Sequence, residues 1–321
     1  MKFDVVSSFG AGNIQALHTI KKISELNITD GQITFDLSNF KENNPFNNLL
    51  IANAISVYKN EHPSVNVSII QKADNDFLSH LGFYHLIGAD FGKKVGEAKP
   101  SNNYVPITEI TFNDRFYDEV ETHAGELAAL LKFDKNLSGF LKYAFIETIR
   151  NVYEHAKTKT VYVCAQKWPT MNLVEIAIVD NGCGIATAMK KRFKDKNETE
   201  LMYLAALPGI SAKSNHAYLD KDNSWRNSGY GLYALRRLSK IYEGSFLLCS
   251  GGIALFQNNG HEEKFNTCFQ GTAVAVRVKT NTNSVFQEVR KQVILEGEIA
   301  AKQISNAMTK ASKSSGGKYY E

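Results

Sequence analysis

The sequence predicts an α/β protein in two parts. A small α/β unit spans residues 1–103, a larger α+β unit spans 104–283, and a C-terminal helix with a frayed tail occupies 284–321. Three observations carry this expectation. The chain, at 321 residues, exceeds one ordinary domain of roughly 100–200 residues. Apolar runs of strand length alternate with helical stretches through the first unit. A polar stretch containing Gly, Pro and Asn, from Gly92 to Asn103, then separates this pattern from a different one.

In the first unit, Phe3–Ser8, Gln32–Leu37 and Val65–Gln71 read as strands, and Asn13–Glu25, Phe46–Lys59 and Asp76–Leu86 as helices. In the second, Ile107–Phe112 reads as a strand, followed by helices over Asp118–Leu131 and Leu137–His155. Thr160–Gln166 and Leu173–Asp180 alternate as strands with one buried face do. Residues 186–228 are polar and show no core pattern. Gly231–Tyr242 is helical, Ser245–Ser250 and Thr272–Lys279 are strands, and a last helix runs from Ser284 to Ala311.

Composition narrows the classes. With 43% hydrophobic and 22% charged residues the chain reads as globular rather than disordered or collagen-like. It has no 18-residue apolar run, and Met1–Val6 lacks the features of a secretory signal, so a cytoplasmic protein without a membrane span is expected. Its four cysteines form no C-x-x-C pair, which argues for buried thiols over disulfides or zinc. The formal charge of +4 is too mild to suggest nucleic-acid binding.

Four short elements carry chemistry. Glu147, Asn151 and His155 recur every four residues, so a helix aligns them beside the apolar stripe of Leu141, Ala144, Phe145, Ile149 and Val152. Asp180 ends an alternating strand and is followed by Gly182 and Gly184, which lets the backbone bend closely around a ligand. Gly229 and Gly231 precede a helix, whose first N–H groups and dipole suit phosphate oxygens. Gly271-Thr272 opens the last strand. Each element alone is weak; a polar helix face or an Asp-Asn-Gly turn is common.

Taken in order, the four resemble the nucleotide-binding domain of the GHKL superfamily, which includes gyrase-type topoisomerases, large heat-shock chaperones, histidine kinases and mismatch-repair ATPases. The resemblance covers roughly residues 110–280. Glu147-x-x-x-Asn151-x-x-x-His155 is similar to the N-box, and Asp180-x-Gly182-x-Gly184 to the first glycine box. Gly229-x-Gly231-Leu232 matches the second, and Gly271-Thr272 the final Gly-Thr.

The resemblance implies a two-layer α/β sandwich with a mixed sheet that binds ATP and Mg²⁺. On it, Asp180 accepts a hydrogen bond from the adenine amino group, with Thr272 supporting that contact through water, and Asn151 gives an oxygen to Mg²⁺. Gly182, Gly184, Gly229 and Gly231 allow close backbone approach. Glu147 orients or deprotonates the attacking oxygen, or else only supports the Mg²⁺ shell. Residues 186–228 fall where the family carries a lid, and there Lys213, with Arg226 a weaker candidate, reaches the terminal phosphate.

Two imitations are set aside. Phe9-Gly10-Ala11-Gly12-Asn13 lacks the third small residue of a dinucleotide fingerprint, and His123 lies too close to Asn151 for a phosphoacceptor hairpin. No P-loop motif occurs. The later part of the first unit, from Ile33 through Val65–Ile70 to Phe77–Ile87, resembles a STAS domain, although Pro45 falls about where antagonists of that family carry a phosphorylated serine. It is therefore expected to be a regulatory or docking unit. The whole reads as an ATP-binding GHKL-type protein that hydrolyses ATP slowly and uses lid closure to control a regulatory or effector protein or a second copy of itself. The alternatives are an anti-sigma-type serine/threonine kinase and a non-catalytic ATP-responsive module.

Overall fold

A computed structural model of the chain describes residues 1–6, 12–40, 44–71, 76–113, 116–129, 135–212, 228–281 and 284–312. The alternating segments of the first unit form β1 (Lys2–Asp4), α1 (Gly12–Ser24), β2 (Gly31–Asp36), α2 (Pro45–Glu61) and β3 (Val65–Ile70). The strands pair in parallel in the order β1-β2-β3, as strands joined through helices do. The single helix expected over Asp76–Leu86 is two, α3 (Asp76–Leu81) and α4 (Phe83–Leu86). They are separated by Gly82, whose φ of +87° leaves the helical region.

The second unit begins with β4 (Tyr104–Thr111), α5 (Phe116–Ala129) and α6 (Lys135–Asn151), and α6 runs into a π-turn at Val152–Ala156. Then come β5 (Thr160–Trp168), β6 (Leu173–Asp180), α7 (Gly184–Lys190), α8 (Glu198–Ala205) and α9 (Gly231–Ile241). β7 (Ser245–Asn258), β8 (His261–Lys279) and α10 (Phe286–Ala301) follow. The sheet order is β4-β5-β6-β8-β7.

The expected mixed sheet is corrected here, because every pairing among these strands is antiparallel and parallel pairing is confined to the first unit. For two of these pairings, β5–β6 and β7–β8, a short connection decides it. β7 and β8 are joined through Asn259 (φ 47°) and Gly260 (φ 86°), two left-handed residues whose turn suits the twist of a hairpin. That turn also makes both strands much longer than the segments expected from the sequence.

The two larger apolar cores lie on the two faces of this sheet. One face packs α5, α6, α9 and α10, with Phe140, Phe145, Leu235, Leu238 and Val293 buried against Ile176, Ile178 and Val276. On the other, α2 lies against β5 and β6, and α1 against β8. Leu17, Leu49 and Ile51 share a core there with Cys164, Ala177, Val179 and Ala275. Phe35 of β2 meets Tyr58 of α2 edge to face at 5.8 Å, so α2 is covered by the three-stranded sheet as well. The helix is consequently buried around most of its circumference, three asparagines included. The two-layer expectation thus gains further layers, contributed by the first unit. Among the described residues no helix is long and apolar enough to cross a membrane.

One carboxylate pins the first unit to the sheet. Glu175 of β6 is fully buried; it accepts from Arg277 Nε at 2.8 Å and pairs with Arg277 Nη2 at 2.7 Å. It also accepts from the Phe46 N–H at 3.2 Å and from Asn44 Nδ2 at 3.4 Å, so it stands at the N-terminus of α2, where an anion is favoured. Asn44 itself caps α2 through the Asn47 N–H at 3.1 Å. Replacing Glu175 by Gln keeps its shape but leaves Arg277 without its counter-charge. Urea unfolding should then show a loss of about 2–4 kcal/mol. Because both units share a core, the loss should appear as one cooperative transition displaced to lower urea, and two separate transitions would refute the shared core.

Candidate functional site

At one end of β6, on the face opposite α2, lies a pocket of about 750 Å³ including its open mouth. All four sequence elements reach it. Asn151 and His155 come from the end of α6 and the π-turn, Asp180 from the end of β6, and Gly184 from the start of α7. Gly229 and Gly231 come from the start of α9, and Thr272 from β8, where it stands opposite Asp180. Apolar walls are added by Ile178, Ile185, Met189, Ile210 and Leu232.

Two residues expected at the site stand just behind it. Gly182 is not among the lining residues; a side chain there would collide with the Ala156 carbonyl, which accepts the Cys183 N–H at 2.7 Å. The π-turn ends at Ala156, and this wider turn joins the α6 terminus to the Asp180 loop. Glu147 is fully buried, ion-paired with Arg150 one turn along, and also not among the lining residues. Its Oε2 would lie 2.6 Å from a Cβ at Gly231, so the carboxylate sits directly beneath the first turn of α9. A side chain at Gly231 would force that carboxylate to move. Lys213 and Arg226 lie outside the described residues.

Asp180 is 1% exposed, and burial pushes its carboxyl up from the ordinary value of 3.8 to about 7. Hydrogen bonds from the Gly182 N–H, at 2.7 Å, and from the backbone and hydroxyl of Thr272 act in the opposite direction. Thr272 therefore meets Asp180 directly. Ser250 ties the surrounding loops, accepting from the Ile185 N–H at 2.9 Å and donating to the Gly271 carbonyl at 2.7 Å.

The segment expected to lack a core has one. Met189, Leu201, Ala205 and Ile210 cluster between α7 and α8. A signal for α8 was present in Asn197-Glu198-Thr199-Glu200, which forms a reciprocal capping box. The chain after α10, expected to remain helical to Ala311, instead leaves the helix and ties together the segments around Gly209 and Tyr230. Met308 donates its N–H to the Gly209 carbonyl and accepts from the Tyr230 hydroxyl, both at 2.8 Å, and the Gly209 N–H donates to the Gly229 carbonyl at 3.1 Å. Arg192 donates to the Ser211 carbonyl at 2.8 Å and to the Asn306 carbonyl.

The chain matches no family model, no curated protein and no solved structure.

Two outcomes follow from this geometry. Asp180 has a native pKa above its unfolded value, so the native state holds an extra proton between about pH 4 and 7. Its contribution to stability is complete below that window and disappears as pH rises through 7. Wild type should therefore lose stability relative to Asp180→Asn between about pH 4 and 7, by at most about 4 kcal/mol, in urea titrations at each pH. Separately, truncation after Gln303 removes the strap. Proteolysis at Lys190, Lys191 and Arg192 should then accelerate about tenfold or more, while the far-UV signal of the rest of the fold is retained.

Proposed function

We propose that the chain is a GHKL-type protein that binds Mg²⁺-ATP in this pocket and turns it over slowly, using lid closure to control a protein partner or a second copy. The observation that carries the reading is the convergence of Asn151, Asp180, Gly184, Gly229, Gly231 and Thr272, from four separate stretches of sequence, on one pocket. Asp180 and Thr272 stand at the sheet end. The carboxylate accepts a hydrogen bond from the adenine amino group and disfavours guanine, which presents an oxygen there. The N-terminus of α9 offers backbone N–H groups and a favourable dipole to phosphate oxygens.

The donor set suits Mg²⁺. Asn151 lines the pocket, its side chain includes an amide oxygen, a hard neutral donor, and Mg²⁺ takes few protein ligands because it keeps water and phosphate oxygens. When bound, the ion neutralises charge on the phosphates. Glu147 stands behind the pocket wall, beneath Gly231, at the end this reading gives to the phosphates, and there a carboxylate would orient a water or hydroxyl for attack. Arg150 fixes that carboxylate in place. The same ion pair favours a second reading, an ATP-responsive module without turnover, because a carboxylate engaged by Arg150 is less available as a base. Transfer to a serine or threonine of a partner, the kinase alternative, uses the same groups with a hydroxyl in place of water.

Incubation with γ-labelled ATP and Mg²⁺, with and without candidate partners, separates these. Free phosphate supports hydrolysis, labelled partner supports the kinase, and binding with neither supports the module. Glu147→Gln should bind ATP within about threefold of wild type and lose turnover by about 10²-fold or more. Asn151→Ala should weaken both binding and turnover. Wild-type turnover in Glu147→Gln would assign Glu147 to structure, and failure of wild type to bind ATP in calorimetry would remove the reading altogether.

A further inference from the structure

The function proposed above uses the pocket face of β6, and the opposite face bears a contact that it leaves unexplained. Successive side chains along a strand point to opposite sides, so Asp180 turns to the pocket while Asn181 turns toward the first unit. There Asn181 meets Asn53 of α2 in a reciprocal amide pair. Asn53 Nδ2 donates to Asn181 Oδ1 at 2.7 Å, and Asn181 Nδ2 donates to Asn53 Oδ1 at 2.9 Å. Asn53 is 1% exposed, held in a helix that is itself packed between two sheets.

Two antiparallel bonds fix both amide planes, and with them the backbone of Asn181. The loop that carries Asp180 is therefore gripped from two sides. The end of α6 holds it through the Ala156 carbonyl and the Cys183 N–H, and the first unit holds it through Asn53. α2 does not depend on this pair for its seating, since Glu175 anchors its N-terminus and Leu49, Ile51 and Ile55 anchor its length. A polar pair that the packing does not require, attached to the residue next to the one that would read the base, has a use in orienting that residue.

We propose that Asn53 is a positioning residue for base recognition: by holding Asn181 it sets the direction of the Asp180 carboxylate, so the first unit takes part in selecting adenine. This rests on the ATP reading above. Hydrogen bonds weaken steeply with misalignment, so freeing the loop affects the bond to the base amino group and spares contacts of the phosphates with α9. Linkage makes the effect reciprocal, and ATP seated on Asp180 stabilises the attachment of α2.

The test compares ATP with inosine triphosphate, whose base carries an oxygen in place of the amino group, each with Mg²⁺ in calorimetric titrations. Wild type should prefer ATP. In Asn53→Ala the ATP affinity should fall about fivefold or more while inosine triphosphate binds as before, so that the preference collapses. The double variant Asn53→Ala/Asn181→Ala leaves neither amide of the pair behind and should show the same collapse. A merely structural Asn53 would weaken both ligands equally. Equal weakening, or an unchanged preference in both variants, overturns the inference. Equal affinity of wild type for the two nucleotides also overturns it while leaving nucleotide binding intact, whereas wild type binding neither overturns the nucleotide reading as well.

Discussion

Glu175 places a charge inside a sheet whose two faces are both covered, and much of the architecture is arranged around satisfying it. A buried carboxylate is tolerated only when its oxygens are occupied. Here Arg277, on the neighbouring strand, supplies the counter-charge, and the Phe46 N–H of α2 with the Asn44 side-chain amide supplies the rest. The helix cannot be withdrawn without stranding the charge, and the charge cannot be lost without weakening the helix terminus. The first unit is bound to the sheet by this mutual requirement as well as by apolar contact.

The arrangement also carries a cost. Asn48 of α2 is fully buried, and neither atom of its amide group has a hydrogen-bond partner among the described residues. Such a group costs about 1–3 kcal/mol. It is offset by the burial of Phe46, Leu49, Leu50, Ile51 and Ile55 on the same helix. β6 is the strand on which these demands meet. Ile176, Ile178 and Asp180 face one core and its pocket, while Glu175, Ala177, Val179 and Asn181 face the first unit. A strand buried on both faces transmits a displacement on one side to the other, since close-packed interiors leave little room to absorb it.

Some features missed in the sequence were locally encoded. Asn259-Gly260 is a strong hairpin signal, and recognising it extends β7 and β8 to their observed lengths. Asn197 with Glu200 announces the start of α8, and the spacing of Glu147 and Arg150 allows an ion pair on one helical turn. The polarity of 186–228 obscured the small core there because α7 and α8 are short and bury few side chains each.

What the sequence determined by itself is periodic or closely spaced: most of the strands and helices, the placing of Glu147 and Asn151 on one helix, and the glycines beside Asp180 and before α9. These follow from local rules of geometry that hold whatever lies elsewhere in the chain. Only the tertiary structure decided that Glu175 meets Phe46 and Arg277, that Asn53 meets Asn181, and that Met308 closes on Gly209. Each of these joins positions far apart in sequence through one or two hydrogen bonds, and no periodicity records them. Their partners are chosen by how the first unit and the C-terminal segment pack on the sheet, where an unpaired polar group has no water to turn to.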